Sequence, residues 1–238
     1  MSMTDRPSAL VICGGNAASD PRPQRMIDWL APHFSVTVLC GAGGHTRTHS
    51  CLTLPQPTGS HFARKIRGAI QLKLRHYHRR IWPKGMAELA DKARSLRPRF
   101  IVVHDLALLP FALAVRGPLG GGSRVLFDAR EYYTRHFEDD WFWRFMFQRY
   151  NEHLAHRYLA EADVVVTVCP GLAAEYEREF GIRCGVLPGY PEPHALIPSP
   201  VANDRVRMVH HGFASRSRHI ENMIELVRLL PNRFTLDL

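Results

Sequence analysis

Arg216 and Arg218 lie close together downstream of Gly212, just before the amphipathic run Ile220-Glu-Asn-Met-Ile-Glu-Leu-Val-Arg228. The order here is an apolar strand (Val206 to His210), a glycine turn, a helix opening near Arg218 and a second strand from Phe234. A helix N-terminus presents N–H groups with no partner inside the helix, together with the positive end of its dipole. Two guanidinium groups at the same place make phosphate or pyrophosphate the natural guest. By itself the pattern also fits an ordinary strand-to-helix turn with solvated arginines.

A second set of chemical groups follows apolar runs further upstream. Asp128, Arg130 and Glu131 come directly after Val125-Leu-Phe127, and His104-Asp105 after Phe100-Ile-Val-Val103. Gly14-Gly15-Asn16 follows Ala9-Leu-Val-Ile-Cys13. The carboxyl ends of strands are where open α/β sheets bind ligands. The glycine turn is not GxGxxG, which argues against a dinucleotide. Arg130 keeps its proton in proteins and cannot be a general base. It can bind an anionic or hydroxylated group, or pair with Asp128 or Glu131 and stiffen a loop. His104 fits a cleft wall or a structural core position. His210-His211 has no adjacent carboxylate or cysteine, and no GxSxG, P-loop or zinc spacing occurs. No metal is expected.

The net charge of +9 is concentrated. Arg64, Lys65, Arg67, Lys73, Arg75, Arg79, Arg80 and Lys84 fall between His61 and Lys84 with no acidic residue among them. Phe62, Ile66, Ile70, Leu74, Tyr77 and Ile81 recur at helical spacing through the same segment, which predicts one continuous amphipathic helix ended by Trp82-Pro83. A cationic amphipathic helix with an aromatic terminus fits an anionic membrane surface. Arg64, Lys65, Lys73, Arg75, Arg79, Arg80 and Trp82 would touch that surface. The alternative is a core-packed helix with a solvated basic face. Nucleic acid is disfavoured because the aromatics lie on the apolar side and form no stacking platform. In Trp141-Phe-Trp-Arg-Phe-Met-Phe147, Trp143 and Phe147 share a face with Tyr150, Leu154 and Tyr158. Trp141 and Phe145 fall elsewhere, open to lipid, acceptor or a partner.

These groups need a frame. Residue types that are 45% hydrophobic describe a globular chain, and no apolar run is long enough to span a bilayer. No signal peptide is apparent. Five cysteines without CxxC spacing suit a reduced cytoplasm, with Cys13, Cys40 and Cys169 as buried thiols. Strands are expected at 9–13, 36–40, 100–103, 125–127, 163–168 and 184–187. Helices are expected over 24–31, 84–96, 108–115, 140–160 and from Cys169-Pro-Gly to Phe180, with a polar loop over 41–60. This alternation predicts an α/β fold with a doubly wound parallel sheet. Gly189 to Pro200 holds four prolines in twelve residues and reads as a linker. The divisions are a domain over 1–190, a linker over 191–204 and a strand-helix-strand unit over 205–238.

Four stretches in order resemble glycosyltransferase family 4 and its relatives with the GT-B fold of two Rossmann-like domains. They are Ser19-Asp-Pro-Arg22, Arg124-Val-Leu-Phe-Asp-Ala-Arg-Glu-Tyr-Tyr133, Leu159-Ala-Glu-Ala-Asp-Val-Val-Val-Thr-Val-Cys-Pro-Gly-Leu172 and the terminal strand-turn-helix, and they span nearly the whole chain. The resemblance implies transfer of a sugar from a nucleotide-diphosphate sugar, with retention, to an acceptor held by the first domain. The membrane-like features favour a glycan or lipid-linked acceptor. Gly212 and Arg218, with Arg216 beside them, would bind the donor diphosphate. Arg130 and Glu131 would be catalytic, and Gly14, Gly15, Asn16, Arg22, His104 and Asp128 would line the cleft. Relatives commonly carry His where this chain has Arg130, and Gly where it has His219. Retention lets the leaving phosphate take the acceptor proton, so Arg130 is compatible with transfer. No cofactor beyond the donor substrate is implied. The cysteine usage places the protein in the cytoplasm, and the cationic helix would make it peripheral at the inner face of the cell membrane. The second domain reads as truncated, which would leave the chain inactive alone. Two alternatives are a sugar-nucleotide epimerase of the same fold and a non-catalytic Rossmann-like binding module.

Overall fold

The computed structural model describes residues 6–238 except 46, 57–58, 118–121, 191–193, 213 and 215–217. The chain divides into two units, Met1–Tyr190 and Pro191–Leu238. In the first, β1 (Ser8–Ile12), β2 (Ser35–Cys40), β3 (Ser50–Thr53), β4 (Phe100–Val103), β5 (Arg124–Ala129), β6 (Val164–Thr167) and β7 (Cys184–Val186) form one sheet. The order is β3-β2-β1-β4-β5-β6-β7, and every pairing is parallel. β1 is an inner strand, with Val11 opposite Val38 on one side and Val102 on the other. All strands therefore end at one edge.

Side chains alternate between the two faces of the sheet. Leu10 and Ile12 join one core layer with Ile101, Val103, Val125 and Phe127. Ala9, Val11 and Cys13 join the other. Helix α1 (Pro21–Leu30) covers the second layer with Met26, Ile27 and Leu30. It begins three residues earlier than the apolar pattern indicated. Asp20 caps its N-terminus and Pro21 supplies a preset first turn.

β3 lies inside the segment expected as loop. Ser50-Cys-Leu-Thr53 is too short and polar to show an apolar run, and only Leu52 is buried. As the edge strand it needs little burial, because its backbone pairs with β2.

The basic segment is not one helix. α2 (His61–Lys73) ends where Arg75 adopts φ 55°, and α3 (Tyr77–Ile81) starts a new axis. His76 N–H reaches the Gln71 carbonyl at 2.8 Å and Arg75 N–H reaches that of Leu72 at 3.3 Å. Those two bonds close a helix end by the Schellman pattern, here with Arg in the left-handed position. The apolar stripe is split as a result. Leu72, Tyr77 and Ile81 are buried, whereas Phe62, Ile66, Ile70 and Leu74 stay exposed.

α4 (Met86–Ser95) and α5 (Leu109–Arg116) follow, burying Ala90, Ala93, Phe111 and Leu113 in the first core layer. α6 (Trp141–Trp143) continues through a π-helical stretch, Arg144–Gln148, into α7 (Arg149–Tyr158). Tyr150 and Leu154 enter the core, while Trp141, Phe142 and Phe145 are exposed. Lys73 lies over the Phe145 ring, joining α2 to the π-helical stretch. α8 (Pro170–Phe180) ends at Gly181 in the left-handed conformation. Cys169, expected buried, is exposed because it sits in the turn that caps α8 rather than in β6.

The second unit contains β8 (Val206–Val209), α9 (Ile220–Arg228) and β9 (Phe234–Asp237). The two strands pair in parallel, Val206 opposite Phe234. None of its described residues is buried. No described helix is long and apolar enough to cross a membrane.

Candidate functional site

The carboxyl ends of β1, β4 and β5 bring together charged groups that are distant in sequence. Asp128 is fully buried near the end of β5. By the alternation of the strand it points to the face that α1 covers, and Arg22 in the first turn of α1 meets it. Arg22 Nε stands 2.6 Å from Asp128 Oδ2, and Nη2 stands 2.5 Å from Oδ1. Nη2 also donates to the Leu187 carbonyl at 3.0 Å, tying in the end of β7. His104, fully buried, places Nδ1 3.0 Å from Asp128 Oδ2.

Burial alone would raise the Asp128 pKa. The hydrogen bonds from His104 and Arg22, with their charge, outweigh it and hold the carboxyl below its ordinary value. An ionised carboxylate only accepts, so His104 Nδ1 donates to it. His104 Nε2 is buried and has no hydrogen-bond partner among the described residues. The His104 carbonyl accepts from the Tyr133 hydroxyl at 2.6 Å. Burial, then the charge of Asp105, raises the Tyr133 phenol, which stays protonated as that donor.

Above this sealed layer lies a second, partly open one. Arg130 hydrogen-bonds Asp20 and reaches Asp105 Oδ1 at 3.4 Å. Burial would lower the Arg130 pKa, but the Asp20 hydrogen bond and the Asp105 charge raise it above its ordinary value. Asp105 Oδ2 accepts from the Gly14 backbone N–H at 2.5 Å, so that N–H is engaged by a carboxylate. Cys13, the thiol beside this layer, is pushed up to about 12, by burial first and then by Cys40 and Asp105. It is a poor nucleophile.

Of the cleft residues expected from the sequence, Arg22, His104, Asp128 and Arg130 converge, and Gly14 joins them through Asp105. Gly15 and Asn16 serve the turn. Gly15 O accepts from Gly41 N–H at 3.0 Å, and Asn16 Oδ1 accepts from Ala18 N–H at 2.9 Å. Glu131 turns away, its carboxylate 3.9 Å from His136 Nε2. Asp20 and Tyr133 were not among the expected site residues, and Asp105 was singled out only by its strand-end place beside His104. The signals were there: Asp105 ends the β4 run, and Asp20 precedes Pro21 as a cap.

Two guanidinium groups face three carboxylates here. Arg130 is already neutralised, so the open layer is a poor phosphate site. It offers acceptors from Asp20 and Asp105 beside donors from Arg130, the chemistry that grips sugar hydroxyls.

In the second unit Gly212 has φ 148°, and a Cβ there would stand 3.0 Å from Arg218 Nη1. The glycine and the guanidinium are thus in contact. His219, left-handed at φ 50°, precedes α9 and gives no side-chain cap, while its carbonyl accepts from the Asn222 N–H at 3.0 Å. Arg216 lies outside the described residues. Of the basic-segment residues expected at a membrane, Lys65, Lys73, Arg75 and Arg79 are exposed and Arg64 and Arg80 half-buried, whereas Trp82 packs with its ring 6.3 Å from Phe111.

No family model matches the chain, and no curated protein matches it in sequence. Among solved structures it is similar to the lipopolysaccharide outer core galactosyltransferase WaaB in its apo form. The TM-score is 0.56 with 10% identity, over 96% of this chain and 59% of that one. The chain thus spans 59% of the length of that neighbour. At this identity the likeness is one of fold: an α/β fold of the GT-B type, with a Rossmann-like parallel sheet flanked by helices.

Proposed function

We propose that the protein is a glycosyltransferase that moves a hexosyl group, with retention, from a nucleotide-diphosphate sugar to an acceptor hydroxyl. The observation that carries this reading is Arg130 held between Asp20 and Asp105 at the carboxyl edge of a GT-B type sheet. The similarity to a galactosyltransferase supports it.

In the transfer the bond from the anomeric carbon to the phosphate oxygen breaks, and a bond to the acceptor oxygen forms. The acceptor proton passes to the departing phosphate oxygen, so no protein base is required. Asp105 and Asp20 accept hydrogen bonds from sugar hydroxyls, and Arg130 donates to them while fixing both carboxylates. The Arg22–Asp128–His104 layer keeps that edge rigid. Gly212 and Arg218, at the N-terminus of α9, contact the donor diphosphate.

The test is release of nucleoside diphosphate from a panel of nucleotide-diphosphate sugars, with an extract of the expressing cells as acceptor. Release that depends on both the extract and Arg130 supports the proposal. Donor conversion without acceptor points to an epimerase. Donor left untouched in both conditions, with no nucleotide sugar bound in a parallel titration, leaves a binding module.

A further inference from the structure

A cavity of about 690 Å³ opens between α2, α3, the segment after β3 and the segment after β4. Arg64, Arg67, Arg79, Arg80 and Lys84 line it, and no carboxylate does. Among the described residues, Arg67, Arg79, Arg80 and Lys84 form no ion pair. Arg80 is held in place: it lies 5.4 Å from the Tyr150 ring centre and 5.9 Å from that of Phe147. Gly68 of α2 gives its guanidinium room, since a Cβ there would stand 3.3 Å from Nη1. Arg67, Arg79, Arg80 and Lys84, four cations without a counter-charge around one cavity, call for a ligand with more than one negative charge.

A second hollow runs along α2 and shares Arg67, Gln71 and Arg79 with the first. Phe62, Ile66 and Ile70 line it, and all three are exposed, Phe62 at 74%. Cationic and apolar hollows therefore meet at two shared arginines. That juxtaposition matches an amphiphile with a charged head and a hydrocarbon chain. A nucleic acid would need exposed stacking rings beside the phosphates. Here Trp82 and Tyr150 are spent on Phe111 and Tyr77.

The cavity also borders the charged cluster. Leu108 lines it, and Leu108 Cδ1 would lie 3.8 Å from a Cβ on Gly14, beside Asp105. We propose that this cavity takes the diphosphate head of a lipid-linked acceptor, with the hydrocarbon chain along the apolar face of α2. The proposal rests on the transferase reading and names its acceptor class. A sugar attached to such a head would lie toward Asp105, where the hydroxyl is needed.

Calorimetric titration with farnesyl diphosphate, inorganic pyrophosphate and farnesol tests it. Farnesyl diphosphate should bind roughly tenfold or more tighter than pyrophosphate, because the chain buries apolar surface. Arg67→Gln with Arg79→Gln should weaken both phosphates roughly 10- to 100-fold. Ile66→Gln with Ile70→Gln changes exposed positions and should bring farnesyl diphosphate down to the pyrophosphate level, leaving pyrophosphate itself unchanged. Circular dichroism checks that each variant folds, and a variant that unfolds is replaced by the single substitution Arg79→Gln or Ile66→Ser.

Unchanged farnesyl diphosphate affinity in either pair overturns the proposal. So does loss confined to Arg218→Ala, which would move the phosphate to the second unit. Binding to phosphatidylglycerol vesicles without binding to farnesyl diphosphate also overturns it, because the surface would then read a bilayer. Nucleotide-sugar binding is measured in parallel. If it persists while farnesyl diphosphate fails, only the acceptor class is lost. If farnesyl diphosphate binds and no nucleotide sugar does, the transferase reading fails instead.

Discussion

Arg22 and Asp128 stand 106 positions apart in the chain and meet in a two-pronged pair of 2.6 and 2.5 Å. One residue comes from the first turn of α1 and the other from the carboxyl end of β5. Two stretches that look like separate landmarks in the sequence are thus halves of one device. His104 closes it from β4. The arrangement locks three elements of the sheet edge together, and Arg130 is displayed two residues beyond Asp128.

Asp128→Asn should destabilise the protein by about 3 kcal/mol at neutral pH, because Arg22 is left as a largely buried cation with no counter-charge. The pH dependence follows from the depressed Asp128 pKa. A carboxyl whose folded pKa lies below its unfolded one stabilises fully above the unfolded value. That contribution is lost as pH falls through the folded value. Urea unfolding should therefore show the same deficit at pH 7 and pH 5, shrinking below about pH 4. A deficit that stays constant on acidification would assign the loss to packing.

Arg130→Ala should cost transfer roughly 10²-fold, the usual scale for removing a donor that holds a reacting group. It leaves Asp20 and Asp105 without the cation between them. Arg130→Lys keeps the charge but loses the planar fork that reaches both carboxylates, and should recover only a small part of the rate. Initial rates at saturating donor and acceptor decide this. Full activity in the Lys variant would reduce Arg130 to a point charge.

Gly41 and Gly43 hold the turn that carries Gly14. A Cβ on Gly41 would collide with the Gly14 carbonyl oxygen, and one on Gly43, at φ 73°, with Asn16 Oδ1. Alanine at either position should cost about 1–3 kcal/mol. Gly15→Ala meets open space and should change stability by less than about 0.5 kcal/mol. Thermal unfolding of the three variants separates them, and equal losses would mean the turn relaxes freely.

The buried strands were legible because Ala9-Leu-Val-Ile-Cys13, Phe100-Ile-Val-Val103 and Asp163-Val-Val-Val-Thr167 are apolar runs bounded by turns. β3 was not, since an edge strand held by backbone pairing needs no apolar signature. The break at Arg75 was hidden because the apolar spacing runs straight across it, and only backbone conformation marks it. In the site, strand-end placement pointed to His104, Asp128 and Arg130. It did not say which charges pair. That Asp105 would bind Gly14, or that Glu131 would turn toward His136, depends on neighbours more than 90 positions away in the first case and on the path of a loop in the second.

The second unit should open far more readily than the sheet of the first. β8 and β9 pair only with each other among the described residues. The apolar side chains of α9 and the turn after it remain exposed, Leu226 at 56% and Leu229 at 84%. Amide exchange should show 206–209 and 234–237 opening much faster than 100–103 and 164–167. Equal protection would mean that another surface covers them.

Gly212 and Arg218 carry the donor side of the proposal, and two variants probe it differently. Arg218→Ala removes a charge-assisted contact to the diphosphate, worth about 1.5–3 kcal/mol, and should weaken nucleotide-diphosphate-sugar binding roughly 10- to 100-fold. Gly212→Val acts by shape. A side chain there would press on the Arg218 guanidinium, whose Nη1 lies 3.0 Å from the Cβ position, and the φ of 148° disfavours a branched residue. It should therefore abolish binding even though the arginine remains. Isothermal titration with the nucleotide-diphosphate sugar that the wild type binds best gives the comparison. If Gly212→Val binds normally while Arg218→Ala does not, the loop can re-form around a side chain and the glycine serves the turn alone. Unchanged affinity in both would remove the diphosphate from this helix end.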